Sequence, residues 1–172
     1  RWFALSLLRK KKIPLRSMLY DRLYQKLPAF TKGYLDAIIA AQQQVYGEFL
    51  IPGLLNDTIL SDMQKSVPYA PNEDGIETPR YIYANYFLAR KLAELDRTAI
   101  LKKLSAVHQV KLYTNNPTPQ LPKVENMGAI DYYEIMPLVF QHSKINLNIT
   151  LRSIQKGIPL RAFDIMGSGG FL

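Results

Sequence analysis

The chain has 172 residues, 48% of them hydrophobic and 21% charged, with 22 Lys and Arg against 14 Asp and Glu. That is the composition of a globular protein long enough to bury a sizeable core. No apolar run reaches the roughly 18 residues of a membrane-spanning helix, and the lack of cysteine excludes disulfides and thiolate metal sites.

The opening stretch, Arg1 to Lys12, places an apolar block before Arg9-Lys10-Lys11-Lys12. A signal peptide has the reverse order and a small-residue cleavage site, so the expected compartment is the cytoplasm. Arg1 in place of an initiator Met suggests that Arg1 is not a natural start. The formal charge of +8 fits solvated helix faces plus this basic segment, or an anionic ligand, a nucleic acid or an anionic membrane surface. Lys10 to Lys12, Lys102-Lys103 and Arg152/Lys156/Arg161 are scattered, whereas nucleic-acid binders concentrate their cations. No nucleic-acid partner is expected.

Residues 13–20 read as a first strand, which Pro14 confines to a sheet edge or a strand start, and 21–106 as mainly helical. Leu35, Ile38, Ile39, Val45, Tyr46 and Phe49 form an apolar stripe that predicts a helix from Thr31, as its cap, to Phe49. Leu54 to Val67 predicts a second helix, followed by a polar loop from Pro68 to Glu77. Thr78-Pro79 is a capped helix start, and the periodicity of Tyr81, Ile82, Leu88, Leu92, Leu95 and Leu101 carries that helix to about Ala106. Its tyrosines at helical spacing read as inter-helix packing.

Residues 107–172 change rhythm. Val110, Leu112 and Tyr113 predict a short strand, and Asn115 to Pro119 a loop. Asp131 and Glu134 have capping-box spacing, and a short helix is expected from about Glu134 to His142. Ile145, Leu147 and Ile149 alternate with polar residues and predict another strand. A loop to Gly157, a helix from Pro159 to about Gly167, a Ser168-Gly169-Gly170 turn and a strand beginning at Phe171 complete the chain. Strands alternating with helices predict α/β architecture on a parallel sheet.

The informative segment runs from Ile145 to Gly170. A strand leads through a polar loop and a glycine into a helix whose first amides favour an anion. Arg152, Lys156 and Arg161 add cations, and Asp164 lies one helical step past Arg161, where it can bind a hydroxyl or pair with the arginine. Phosphate binding is one reading; an ordinary turn with an Asp164–Arg161 surface pair is the other. His108 and His142 read as structural. No metal site and no nucleophile–His–acid pattern is recognisable.

The stretch Arg161-Ala162-Phe163-Asp164-Ile165-Met166-Gly167-Ser168-Gly169-Gly170 resembles the donor-site motif of bacterial group 1 glycosyltransferases of the spore-maturation-protein type. Val110 to Asn115, Gly128 to Pro137 and Ser143 to Thr150 resemble the same proteins, as do Tyr81 to Tyr86 and Thr31 to Asp36 in the helical part. The likeness covers about residue 17 to the end. The resemblance implies a Rossmann-like, GT-B donor domain, incomplete here, with a large helical insertion and a preceding acceptor domain that is absent.

The resemblance further implies that Arg152, Lys156, Gly157, Arg161, Asp164, Gly169 and Gly170 form the donor site. Lys156 and Arg161 would meet the phosphates and Asp164 the ribose. The wider group often has a glutamate eight residues before the acidic position, where this chain has Lys156. The donor would be a nucleotide-diphosphate sugar, with no cofactor or metal, and the acceptor an unidentified cell-surface or spore glycan or protein. No catalytic residue is assigned, and the excerpt alone is expected to be inactive. The alternatives are a nucleotide- or phosphate-binding regulatory module without transfer chemistry and a helical protein-interaction adaptor.

Overall fold

A computed structural model describes residues 18–69, 75 and 77–172. The chain divides into two compact units: residues up to Glu94 with Leu151–Gln155, and Leu95–Thr150 with Lys156–Leu172.

The first unit is helical. Its elements are α1 (Met18–Lys26), α2 (Ala29–Gln44), α3 (Ile51–Leu54), α4 (Asp57–Ser66) and α5 (Pro79–Ile82). A π-helical segment (Tyr83–Leu88) then leads into α6 (Ala89–Ser105), whose residues from Leu95 onward belong to the second unit. The expected first strand is not formed where it can be seen. Ile13–Ser17 lie outside the described residues, and Met18–Tyr20 open α1.

Helix α2 begins earlier than its apolar stripe predicts, because Pro28 takes the N-cap position with an extended ψ of 152°. Thr31 therefore lies inside the helix and does not cap it. Its buried hydroxyl donates to the Asp62 carboxylate on α4. Leu35, Ile38 and Ile39 are buried as the stripe predicts.

The same helix stops at Gln44, five residues short of Phe49, and Gln42 supplies the reason. Its buried amide donates to the carbonyls of Val45 (3.0 Å) and Glu48 (2.9 Å) and accepts from the Leu50 amide. A side chain that satisfies three backbone groups stabilises a turn against further helix. Gly47, at φ +87°, makes that turn without steric cost.

The single helix expected over Leu54–Val67 is instead the pair α3 and α4. Asn56 intervenes as the N-cap of α4, accepting from the Ile59 amide at 3.0 Å. Thr78 and Pro79 start α5 as expected, with Thr78 Oγ1 accepting from the Tyr81 amide. The π-helical stretch is a departure from the simple periodicity. Within it Tyr83, Ala84, Phe87 and Leu88 are buried. The Tyr83 hydroxyl donates to the Val67 carbonyl at 2.6 Å, and its ring packs on Phe87 with centroids 5.3 Å apart. These tyrosines are packing residues, with Tyr81 partly exposed.

In the second unit, β1 (Val110–Leu112) pairs in parallel with β2 (Val124–Asn126), with Val110 opposite Val124 and Lys111 opposite Glu125. Leu101, Leu121 and Val124 form a small core, packed by Val110 and Leu112. Helices α7 (Met136–His142) and α8 (Leu160–Gly167) pack on each other. Asp131 Oδ1 accepts from the amides of Tyr133 and Glu134, capping a turn ahead of α7. Helix α7 starts two residues later than expected, so Pro137 falls in its first turn, where proline is tolerated.

Residues 145–150 form no strand ladder despite their alternation. The Asn146 amide donates to the Phe171 carbonyl at 2.9 Å, joining the two segments that were expected to be strands. The architecture is thus mixed α/β with a two-stranded parallel sheet among the described residues. Among those residues no helix is long and apolar enough to cross a membrane.

Candidate functional site

Helix α8 is the centre of the motif-bearing segment, and both its ends are legible in the sequence. Pro159 holds φ −61° and ψ 139° at the N-cap, which sets the entry but offers no side chain to the first-turn amides. Those amides carry the positive end of the helix dipole. Gly157, at φ +93°, makes the turn leading in, and exposed Lys156 precedes it.

The C-terminal end is closed by its glycines. Gly169 adopts φ +75°, its amide donating to the Met166 carbonyl and the Gly170 amide to the Ile165 carbonyl, each at 2.9 Å. This paired pattern is the Schellman closure of a helix. A Cβ on Gly170 would meet the Phe140 carbonyl oxygen at 2.7 Å and Asn146 Nδ2 at 2.9 Å. Gly169 and Gly170 therefore have structural work here: the first turns the chain and the second admits the end of α7.

Arg161 and Asp164 project from α8 into a cluster with the segment that precedes and forms α7. The Tyr132 hydroxyl donates to Asp164 Oδ2 at 2.7 Å, and Arg161 Nη1 lies 3.8 Å from the same oxygen. Arg161 also donates from Nη1 to the thioether of Met136. Its guanidinium carbon lies 5.5 Å from the Phe140 ring centre and 5.8 Å from that of Tyr132. A thioether is a weak acceptor, and 3.8 Å exceeds an ordinary hydrogen bond. The guanidinium is thus positioned by aromatic faces, with weak acceptors on its donors and its side chain 41% exposed.

Tyr132, Met136 and Phe140 were missed in the sequence, although their spacing of four is a detectable signal: it puts them on one side of a helical path. Arg152, by contrast, lies in the first unit. Its Nη1 donates to the carbonyls of Gln42 (2.5 Å), Gln43 (3.3 Å) and Val45 (3.0 Å), and its guanidinium sits 3.9 Å above the Tyr46 ring. It closes the C-terminal end of α2, where a cation also meets the negative end of the dipole. The seven sequence-derived site residues thus fall into three sets: Arg161 and Asp164 in the cluster, Lys156 and Gly157 on the approach to α8 with Gly169 and Gly170 at its far end, and Arg152 in the other unit.

A groove of about 540 Å³ in the first unit is lined by residues including Asp57, Leu60, Gln64, Thr78 and Arg80. Its cation is already occupied: Arg80 pairs with Asp57 at 2.9 Å and donates to the carbonyls of Pro52 and Leu55. His142 Nδ1 lies 2.8 Å from the Leu138 carbonyl within its own helix. Among the described residues no group of three or more His, Cys, Asp or Glu could hold a metal ion. No protein-family model, no curated protein and no solved structure matches the chain.

Proposed function

We propose that the second unit binds the diphosphate and ribose of a sugar nucleotide beside α8, as the donor-site part of a glycosyltransferase. The observation that carries the reading is Arg161, a partly exposed guanidinium beside an N-terminus that lacks a side-chain cap, held in place by rings, donating to a thioether and 3.8 Å from the Asp164 carboxylate. A phosphate oxygen would be a far better partner for it than a thioether, and a charge-assisted bond to it would also be favoured by the helix dipole. Lys156 and the turn at Gly157 lie on the same approach to α8 and add a second cation.

Asp164 supplies the complementary half. Its carboxylate already accepts one hydroxyl, that of Tyr132, and a ribose hydroxyl would be bound by the same chemistry. In the transfer itself the acceptor hydroxyl oxygen would bond to the anomeric carbon as the bond to the diphosphate oxygen breaks, the hydroxyl proton passing to solvent and the nucleoside diphosphate leaving. Arg161 and Lys156 would stabilise the charge that develops on the leaving diphosphate. The Rossmann-like character of the unit belongs to this proposal too, and the parallel pairing of β1 and β2 supports it. Arg152 is left out of the donor set, since its guanidinium serves the end of α2.

A thermal-shift panel tests the reading. Binding at a hundredfold excess over Kd adds about 2.7 kcal/mol of apparent stability, so nucleoside diphosphates and nucleotide sugars should raise the melting temperature while free nucleosides raise it less. An unchanged melting temperature with every nucleotide at millimolar concentration would overturn the proposal.

A further inference from the structure

Helix α8 has a second face that the nucleotide reading does not use. Ala162 and Ile165 are buried, but Leu160, Phe163 and Met166, spaced by three along the helix, are exposed at 73%, 53% and 52%. Ile158 just before the helix is exposed at 61%. Between Glu134 and Asp164 the sequence contains Lys144, Arg152, Lys156 and Arg161 and no acidic residue. Lys144 and Lys156 are exposed. An exposed apolar ridge of this kind marks an interaction surface.

The geometry points to an anionic lipid bilayer as the occupant: Leu160, Phe163 and Met166 would enter the acyl boundary while Lys144 and Lys156 meet anionic headgroups. Charge decides between a bilayer and a protein. The cores of protein interfaces are depleted in lysine, whereas lysine stems lie along apolar surface and keep their ammonium in the headgroup layer. A basic segment near an anionic leaflet is attracted further by the surface potential. The chain's excess of positive charge, +8 overall, acts in the same direction. Lys156 is shared with the proposed nucleotide site, but the apolar ridge is not, so L160S/F163S separates vesicle binding from nucleotide binding.

Co-sedimentation with vesicles tests it. The 172-residue chain is mixed with vesicles of phosphatidylcholine alone and of phosphatidylcholine with phosphatidylglycerol. The basic segment Arg9 to Lys12 could bind vesicles by itself, so two variants read the α8 surface specifically. L160S/F163S removes apolar area, and K144Q/K156Q removes charge while keeping the apolar ridge. Both change exposed side chains, and circular dichroism melts check that the fold is retained. Expected is binding to the anionic vesicles, at least tenfold weaker in L160S/F163S. In K144Q/K156Q it should be about tenfold weaker and lose most of its preference for anionic lipid. Equal binding by wild type and either variant, or no preference for anionic vesicles, would overturn the inference. So would wild-type self-association that L160S/F163S abolishes without any vesicle binding, since the ridge would then serve a second copy of the chain.

Discussion

The two units handle their apolar side chains in opposite ways. In the helical unit Leu23, Leu35, Ile51, Leu55, Ile59, Met63, Tyr83, Leu88 and Leu92 are fully buried, and few large apolar residues face outward. In the second unit the buried apolar residues are Leu101, Leu121, Val124, Ala162 and Ile165, while Tyr133, Leu138, Ile145, Leu147, Leu160, Phe163 and Phe171 are exposed. Burial of apolar surface is the main favourable term in folding. Among the described residues the helical unit therefore has the larger buried core, and the second unit leaves more of its large apolar side chains exposed.

The largest expected effect breaks this contrast if it is wrong. Leu88→Ala empties a fully buried position in the π-helical segment and should cost about 2–5 kcal/mol, measured by denaturant unfolding. Phe163→Ser on exposed α8 should stay within about 0.5 kcal/mol of wild type. Comparable losses for the two would mean that the exposed ridge is a structural core. A smaller effect sharpens the picture of the second unit. In Gly170→Ala the new methyl meets the Phe140 carbonyl oxygen, and overpacking of this kind costs about 1–3 kcal/mol. An unchanged melting temperature for that variant would show that the end of α7 can yield.

Local chemistry is legible in the sequence, and partners remote along the chain are not. The Thr78-Pro79 start and the end near Ala106 were legible because capping chemistry and helical period act over a few residues. The α8 boundaries were legible for the same reason. Thr31 was misread as a cap because its true partner, Asp62, is remote in sequence. Asn56 interrupts a periodicity that otherwise passes for one helix. Strand β2 was missed: with three residues, of which Val124 alone is buried, it carries almost no pattern of its own. Conversely, the alternation at 145–150 marks no covered apolar side, because Ile145 and Leu147 are exposed and Asn146 between them is buried. A ladder needs a partner, and the observed backbone link is the bond from Asn146 to Phe171. Arg161 and Asp164 lie in one cluster, as their spacing on one helix predicts, while Arg152, close to them in sequence, lies against the carbonyls at the end of α2.

A further stability effect concerns pH and returns to the helical unit. Burial raises the Tyr83 phenol from 10.0 to about 12. A raised phenol pKa favours the folded state fully below pH 10, and that contribution is lost as pH rises from about 10 toward 12. Tyr83→Phe removes the bond to the Val67 carbonyl and should cost about 1 kcal/mol near neutrality. It should also flatten the alkaline decline, with a residual slope from Tyr20, whose phenol is likewise pushed up by burial. A decline of equal steepness in the variant would show that Tyr83 is not the titrating group.

The central claim is that Arg161 and Asp164 read different parts of one ligand, and isothermal titration of a nucleoside diphosphate and of its free nucleoside tests it most directly. A charged hydrogen bond contributes about 1.5–3 kcal/mol, so Arg161→Ala should weaken diphosphate binding roughly ten- to a hundredfold and leave the nucleoside almost unaffected. Asp164→Asn should weaken both ligands more modestly, and only when the sugar is ribose. If the two residues form no more than the surface pair seen at 3.8 Å, both substitutions would change stability by under about 1 kcal/mol and leave affinity alone. Equal affinities for the wild type and both variants would contradict the account and remove α8 from the site.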